Sequence, residues 1–595
     1  MATWILTLSV PVAVYLLLSG LDDLVVDLLY AWHSFRGHFP KQPPDDRLKQ
    51  LPQKPIAVFV PLWHEHQVIE RMLLHNNAAI HYANYQFFVG VYPNDHLTIQ
   101  AVNKAAQTLP NVTLCTVPHP GPTSKPDCLN AIFRNMLEFE GNLGIQFSVI
   151  LTHDAEDIIH PQCLRWINYY SEEYDFVQIP VLALQTPLLS LTHGIYCDEF
   201  AELHGRDMPV RGALGAFIPS SGVGTGYGRA ALNRLAELNA GQIFIPGCLT
   251  EDYENGLRLK LLGFRQIFVP ILQSAQDGFV ATREYFPRSF LTAIKQRTRW
   301  VTGISLQSWQ RNGWPGGWRI RYWLWRDRKG LLGAPLGLLT NILFALGAAF
   351  PHTFTLLTPL MIWLFGATSV LGLLRILIRM RFAFKVYGLP MAMLVPVRFL
   401  WGNAINAIAT IRAQYRFAKA HLTGSALVWS KTTHEYPDRG VLAAKSRKLG
   451  EILSAMHGIP RHTIDTALRV KPEILRLGEY LVDHGEVTER QLYEALALQQ
   501  QLPLASPLPG SIPIRVRRAL PSSLVNRWNV LPFAIDVAGL HVCSPESPSE
   551  ELTKLLAEHT NMPICFHLVT PSLYETLVEE APQEFPLPYV RRRFA

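Results

Sequence analysis

Cysteine is scarce and dispersed: seven residues in a chain of 595, with no CxxC pair and no Cys/His group at zinc-ligand spacing. That argues against a structural zinc and for reduced, mostly buried thiols in a cytoplasmic setting. Charge is missing altogether from Met1 to Leu21. No basic stretch precedes that segment and no small-residue cleavage site precedes Asp22 and Asp23, which argues against a cleaved signal. A phosphate-binding loop is lacking too. GVGTGYGR (222–229) is glycine-rich but has neither a following GK[ST] nor the dinucleotide fingerprint.

What the chain has in quantity is apolar sequence. It is 49% hydrophobic, with a mean hydropathy of +0.11 and a pI near 8.9, values that suit neither a disordered nor a wholly soluble protein. Its length implies roughly three or four units. Trp4–Leu21, Leu331–Phe350 and Thr353–Leu374 are uncharged and near the ~20 residues a helical crossing needs. The expectation is an N-terminal transmembrane helix over 1–32, a buried globular helix being the rival reading, and a transmembrane hairpin over 331–374. Arg36, Lys41, Arg47, Lys49 and Lys54 follow the first segment. Arg326, Arg328 and Lys329 precede the hairpin, and Arg375, Arg379, Arg381 and Lys385 follow it. The positive-inside rule therefore puts Arg36–Gly330 in the cytoplasm. The net charge of +7 is uneven: Ala281–Gly330 holds eleven Lys or Arg, two acids and six Trp. Such a stretch suits nucleic acid, but the adjoining hairpin argues for the bilayer interface instead. Val386–Ile411 is apolar yet carries Pro390, Pro396 and Arg398 between basic flanks. An interfacial or re-entrant helix (386–420) is favoured there over a fourth crossing.

Between these segments, over 50–330, the pattern is α/β. PIAVFVP (55–61), FFVGVY (87–92), VTLCTV (112–117) and FSVILT (147–152) read as short buried strands, with helices near 64–76 and 127–140. That alternation implies a parallel sheet with helices on both faces, and ligands bind beyond the carboxyl ends of its strands. Glu65, Asn94, Asp95 and the cluster Asp154, Glu156 and Asp157 fall there. Three carboxylates within four residues suit a hard cation such as Mg²⁺ or Mn²⁺, but acids are equally at home at a helix start. Spacing alone leaves the two level. LTEDYENGLRLKL (249–261) puts Glu251 and Asp252 at the start of a helix after a possible strand, QIFIP, and taken alone reads as capping. Lys125, in GPTSKPDCLN, suits a phosphate or plain solvent.

The ordered set is more specific than its members. VFVPLWHE, an Asp after the second strand, TSKPDCLN, DAED, TED and QRTRW resemble the motifs of membrane-bound family-2 glycosyltransferases of the cellulose, hyaluronan and poly-N-acetylglucosamine synthase type, over residues 55–435. The resemblance implies a GT-A fold and a nucleotide-sugar donor, with a UDP-sugar expected. It implies that Glu65, Asp95, Lys125 and Asp154 bind that donor, and that Asp154, Glu156 and Asp157 hold Mg²⁺ or Mn²⁺, a Glu standing for the second Asp of the DxD element. Asp252 would be the general base, beside Glu251. Gln296, Arg299 and Trp300 would bind the acceptor end and the leaving diphosphate.

From Lys445 a 28-residue period relates KSRKLGEILSAMHGIPRHTIDTAL to EILRLGEYLVDHGEVTERQLYEAL. A purely structural helical repeat is one reading of the periodicity. The second copy, together with the residues C-terminal to it, resembles the MshEN-type domain of type II secretion ATPases, placing one at 440–580. Many such domains bind cyclic di-GMP, which would fall on Arg476, Leu477, Gly478, Asp483, Gly485, Leu492 and Gln499 and on Lys448, Leu449 and Gly450 of the first copy. The first copy departs: Lys448 replaces Arg, without its planar fork. Glycosyltransferase plus this domain is similar to the NfrB-like phage-adsorption family, through CDEF (197–200), PSSGVGTG (219–226) and ATREYFPR (281–288) as well. That similarity implies a bacterial inner-membrane polymerase of a secreted, N-acetylhexosamine-containing polysaccharide that phage can use as receptor. Its partners would be the lipid bilayer, the growing polysaccharide and an outer-membrane export protein, with a diguanylate cyclase as a further candidate. The rival reading is a non-catalytic membrane receptor or scaffold for cyclic di-GMP.

Overall fold

The computed structural model describes residues 2–270, 273–274, 278–425, 449–450, 452–453, 459, 461–472, 475–500, 502–536, 539–560 and 562–579. The chain divides into two compact units, Met1–Tyr436 and Pro437–Ala595.

In the first unit, short apolar runs build strands that include β1 (Ile56–Pro61), β2 (Tyr85–Val91), β3 (Val112–Thr116), β4 (Val149–Thr152), β5 (Phe176–Gln178), β6 (Val181–Ala183), β7 (Thr225–Gly228) and β8 (Gln266–Phe268). Seven form one sheet in the order β3-β2-β1-β4-β7-β5-β8. Strands β1–β4 pair in parallel, whereas β7 runs antiparallel to both β4 and β5. The sheet is therefore mixed rather than wholly parallel. Its strands are buried throughout, as the continuous apolar runs require. Phe88, Phe139 and Phe147 pack edge-to-face on one side of it, beneath the helix Lys125–Leu143. QIFIP is not a strand. The buried Asn130 amide takes the hydrogen bonds a ladder would supply, accepting from Ile243 and Phe244 N–H and donating to Phe244 O.

Among the described residues, three helices are long and apolar enough to cross a membrane: Thr3–Phe35, Trp318–Ala349 and Pro359–Tyr387. Ion pairs at their polar ends join them to each other and to the sheet domain. Lys329 reaches Asp22 at 2.7 Å and Arg326 reaches Asp23 at 2.9 Å. Arg379 reaches Glu202 at 2.7 Å, and Glu202 also pairs with Arg375 and Arg206. The stretch 386–411 forms the helices Leu389–Met393 and Val395–Thr423, with Pro390 and Pro396 in their first turns, where no donor is lost. Arg398 is buried against Asp198 of the sheet domain, with two bonds of 2.7 Å. The helix Val395–Thr423 thus packs the charge in its first turn on protein.

The second unit has helices Arg461–Val470, Leu477–Asp483 and Glu489–Gln500, then a sheet of Leu531–Asp536, Gly539–Ser544 and Ile564–Leu568. The repeat has a packing cause. A Cβ on Gly450 would lie 2.5 Å from Ile464, and one on Gly478 would lie 2.5 Å from Leu492, its equivalent 28 residues on.

Candidate active site

The acidic turn begins where β4 ends. Asp154 and Glu156 present their carboxylates to a cleft beyond the strand ends. Asp157 does not: it is fully buried, and its Oδ2 accepts from Asp154 N–H at 3.0 Å and pairs with His153 Nδ1 at 2.7 Å. Among the described residues no three His, Cys, Asp or Glu side chains group as metal ligands. The expected three-carboxylate set reduces to Asp154 and Glu156, because the third carboxylate satisfies the turn's own backbone. Asp95 is corrected in the same way. It is the N-cap of the helix His96–Thr108, accepting from Thr98 N–H and, at 2.6 Å, from His64 N–H, and it is not part of the cleft wall.

Lys125 opens the helix Lys125–Leu143 behind its Ser124 cap and reaches Asp154 Oδ1 at 2.6 Å. Glu65, whose N–H is held by Thr98 Oγ1, lies across the cleft. Glu251 and Asp252 begin the helix Glu251–Leu261. The Thr250 hydroxyl makes no cap bond there, so this is no ordinary capping arrangement. Asp252 instead packs over the backbone of Gly222, where φ is +82° and a Cβ would stand 2.8 Å from Asp252 Oδ2. The glycine-rich segment therefore makes room for a carboxylate. Gln296, Arg299 and Trp300 sit on the last turn of the helix Phe290–Trp300, which continues as a π-helical turn over Val301–Gln307. Such turns recur at functional sites. Gln307 clamps the loop before Glu251, accepting from Leu249 N–H at 3.0 Å and donating to Gly247 O at 3.1 Å. Gln296 Oε1 and Arg299 Nε are buried without a hydrogen-bond partner among the described residues.

One cleft thus gathers Glu65, Lys125, Asp154, Glu156, Glu251, Asp252, Gln296, Arg299 and Trp300. Trp63, Tyr92, Gly222, Glu284 and Phe286 line it too. Nothing in the sequence pattern marks these five as site residues, although VFVPLWHE, GVGTG and ATREYFPR contain four of them. Six carboxyl groups there face two cations, Lys125 and Arg299. Burial, then Asp252, pushes Glu251 up to about 7, against Lys125 and Arg299. Burial also raises Asp252, against the same two cations. Burial opposes the Lys125 charge, yet Asp154, Glu251 and Asp252 outweigh it and raise its pKa. Hard oxygen donors, an excess of acid and two carboxylates lining the cleft, Asp154 and Glu156, fit Mg²⁺ or Mn²⁺, which need only one or two protein carboxylates beside substrate phosphates.

In the second unit Arg476, Asp483 and Gly485 are exposed, Leu477 and Gln499 half-buried, and Leu492 and Gly478 buried. Leu449 and Gly450 are among the described residues, and Lys448 lies outside them.

The sheet and cleft define a GT-A-like α/β sugar-transfer domain. Residues 52–303 match the family "Glycosyltransferase like family 2". Bacteriophage adsorption protein B of Escherichia coli strain K12 is 35% identical over 576 residues, covering 90% of this chain and 76% of that protein. Bacteriophage N4 adsorption protein B of E. coli O157:H7 gives the same figures. A mannosyltransferase from Pyrobaculum calidifontis, solved with GDP-Man and Mn²⁺, is 16% identical with a TM-score of 0.44, covering 68% of this chain and 99% of that one. The chain belongs to the bacteriophage adsorption protein B family and carries a family-2 glycosyltransferase domain. Glycosyl transfer is the activity that the description of this domain's family names.

Because Lys125 occupies Asp154, a divalent cation must compete with it. Lys125→Met is expected to tighten Mn²⁺ binding to the nucleotide-free protein and to weaken nucleoside-diphosphate binding about tenfold or more. Paired Mn²⁺ and UDP titrations of purified protein check both signs; weaker Mn²⁺ binding contradicts this reading.

Proposed function

We propose that the protein is an inner-membrane, metal-dependent, inverting and processive glycosyltransferase, and that it polymerises an N-acetylhexosamine from a UDP-sugar into a secreted polysaccharide. The observation that carries this reading is the cleft lined together by Asp252, Glu251, Lys125, Asp154, Gln296 and Arg299. Asp252 takes the proton of the acceptor hydroxyl as the new bond forms, since a neutral hydroxyl is a poor nucleophile. Lys125 and Arg299 receive the diphosphate as it gathers charge, with Glu65 beside the donor. Gln296 and Trp300 orient the acceptor end. Asp154 and Glu156 would hold Mg²⁺ or Mn²⁺, which when bound neutralises diphosphate charge. Attack by the acceptor opposite the leaving group in one displacement inverts the anomeric carbon.

Three crossings by the apolar helices, with basic flanks inside, put both the catalytic domain and the second unit in the cytoplasm. The hairpin and the helix Val395–Thr423 then border the path by which the glycan leaves, toward an outer-membrane export partner. The name borne by the relatives supports a product that serves as a phage receptor. The second unit, as an MshEN-type domain, would bind cyclic di-GMP through Arg476, Leu477, Gly478, Asp483, Gly485, Leu492 and Gln499, with Leu449 and Gly450 opposite, and so activate the enzyme. Exposure of Arg476 at the start of Leu477–Asp483 supports that reading.

Asp252→Asn is expected to lower turnover by about 10²–10⁴-fold with donor affinity retained. A raised carboxyl pKa leaves the base protonated, and idle, as pH falls through it. The acid limb of kcat/KM is therefore expected above the ordinary aspartate range. In Glu251→Gln it moves to lower pH, because a like-charged neighbour is gone. An unmoved limb refutes the coupling. Arg476→Ala is expected to weaken cyclic di-GMP binding to the full-length protein about tenfold or more by calorimetry; unchanged binding places the ligand elsewhere.

A further inference from the structure

Beneath the acidic turn lies a layer of polar groups that takes no part in the steps above. His153, Asp157 and Asn76 are each fully buried, and none of them borders the cleft. Their hydrogen bonds converge on the backbone that carries Asp154 and Glu156. Asp157 Oδ2 accepts from Asp154 N–H at 3.0 Å, and the Asp157 N–H returns to Asp154 O at 3.3 Å, closing the turn. The same Oδ2 meets His153 Nδ1 at 2.7 Å, and with Asp157 taken as an ionised carboxylate, which only accepts, Nδ1 is assigned as the donor. The His153 N–H is anchored on Phe59 O at the end of β1, 3.0 Å away. On the far side, Asn76 Nδ2 donates to Asp157 O and Asn76 Oδ1 accepts from Ile159 N–H, both at 2.8 Å. Ile158 exchanges two backbone bonds with Arg283, of 2.8 and 3.0 Å. The turn is thus held at 153, 154, 157, 158 and 159.

Such bracing has a physical reason. Two like-charged side chains two residues apart repel each other, and a free turn would splay them toward solvent. A cation that demands near-ideal octahedral geometry, as Mg²⁺ does, is bound well only if those oxygens are held in place beforehand. The layer that achieves this is buried and polar, with His153 Nε2 and Asp157 Oδ1 left without a hydrogen-bond partner among the described residues, so losing a further bond from it is costly.

We propose that His153 and Asp157, braced by Asn76, form a positioning unit that sets the separation of Asp154 and Glu156 for a divalent cation. This rests on the reading of Asp154 and Glu156 as the cation's ligands. The unit contributes no atom to the cation and none to the substrate. Its effect is on metal affinity.

Mn²⁺ titration of the full-length, detergent-purified protein, followed by the loss of the free-ion electron paramagnetic resonance signal, reads that affinity without turnover. Asp154→Asn is expected to abolish binding, and undiminished binding there sinks the parent reading itself. His153→Leu is expected to weaken Mn²⁺ binding about 10–100-fold, the usual effect of losing an outer-sphere partner, while UDP binding without metal stays as in the wild type. His153→Gln, which keeps a donor, is expected to restore most of the affinity. Asp157→Asn, nearly isosteric, is expected to fall between, and carries the test if His153→Leu does not fold. Wild-type Mn²⁺ affinity in both His153→Leu and Asp157→Asn, with Asp154→Asn inactive in binding, overturns the proposal. So does an equal loss in His153→Gln and His153→Leu, which would mark His153 as part of the core only.

Discussion

Electrostatic crowding governs this molecule. Six carboxyl groups converge on one cleft with only Lys125 and Arg299 to balance them. Lys125 sits 2.6 Å from Asp154 and is raised by three surrounding acids, so the protein uses its own ammonium to hold the site together. A diphosphate brings more negative charge to the same place. On the proposed reading the cleft accepts it only with additional positive charge, and the surplus of hard oxygen donors favours a hard divalent cation.

The rest of the first unit serves to hold those charges against their repulsion. Strands β1 and β4 end side by side and set Glu65 and the acidic turn on one edge of the sheet. Gly222 admits the Asp252 carboxylate over bare backbone, and Gln307 pins the loop that precedes Glu251. The same logic reaches the long apolar helices, where Asp22 and Asp23, with Glu202 of the sheet domain, meet Arg326, Lys329, Arg375 and Arg379. Each is a charge held by protein where water is scarce, and each fixes one element against another.

Much of the sheet was legible in the sequence, because apolar runs of strand length are direct consequences of burial, and the uncharged runs of crossing length fall in three long apolar helices among the described residues. What periodicity conceals is where a carboxylate points. Asp95 and Asp157 sit at the right places along the chain, yet both turn inward to satisfy backbone N–H groups, which only the three-dimensional turn reveals. QIFIP has the composition of a strand, but its hydrogen bonds go to Asn130, more than a hundred residues away. Gly222 was visible as part of a glycine-rich run, and the reason for it was not, since its partner Asp252 is distant in sequence. Val386–Ile411 was ambiguous for the same cause: the burial of Arg398 depends on Asp198, which no local pattern announces.

The central claim is that the crowded cleft transfers sugar only when a divalent cation offsets its charge. The most direct test is nucleoside-diphosphate release from a panel of nucleotide sugars by the full-length protein in membranes, with Mn²⁺ or Mg²⁺ and again after chelation. Release that stops on chelation and returns on adding Mn²⁺ is the predicted result. Release that continues undiminished with the cation removed would contradict the account.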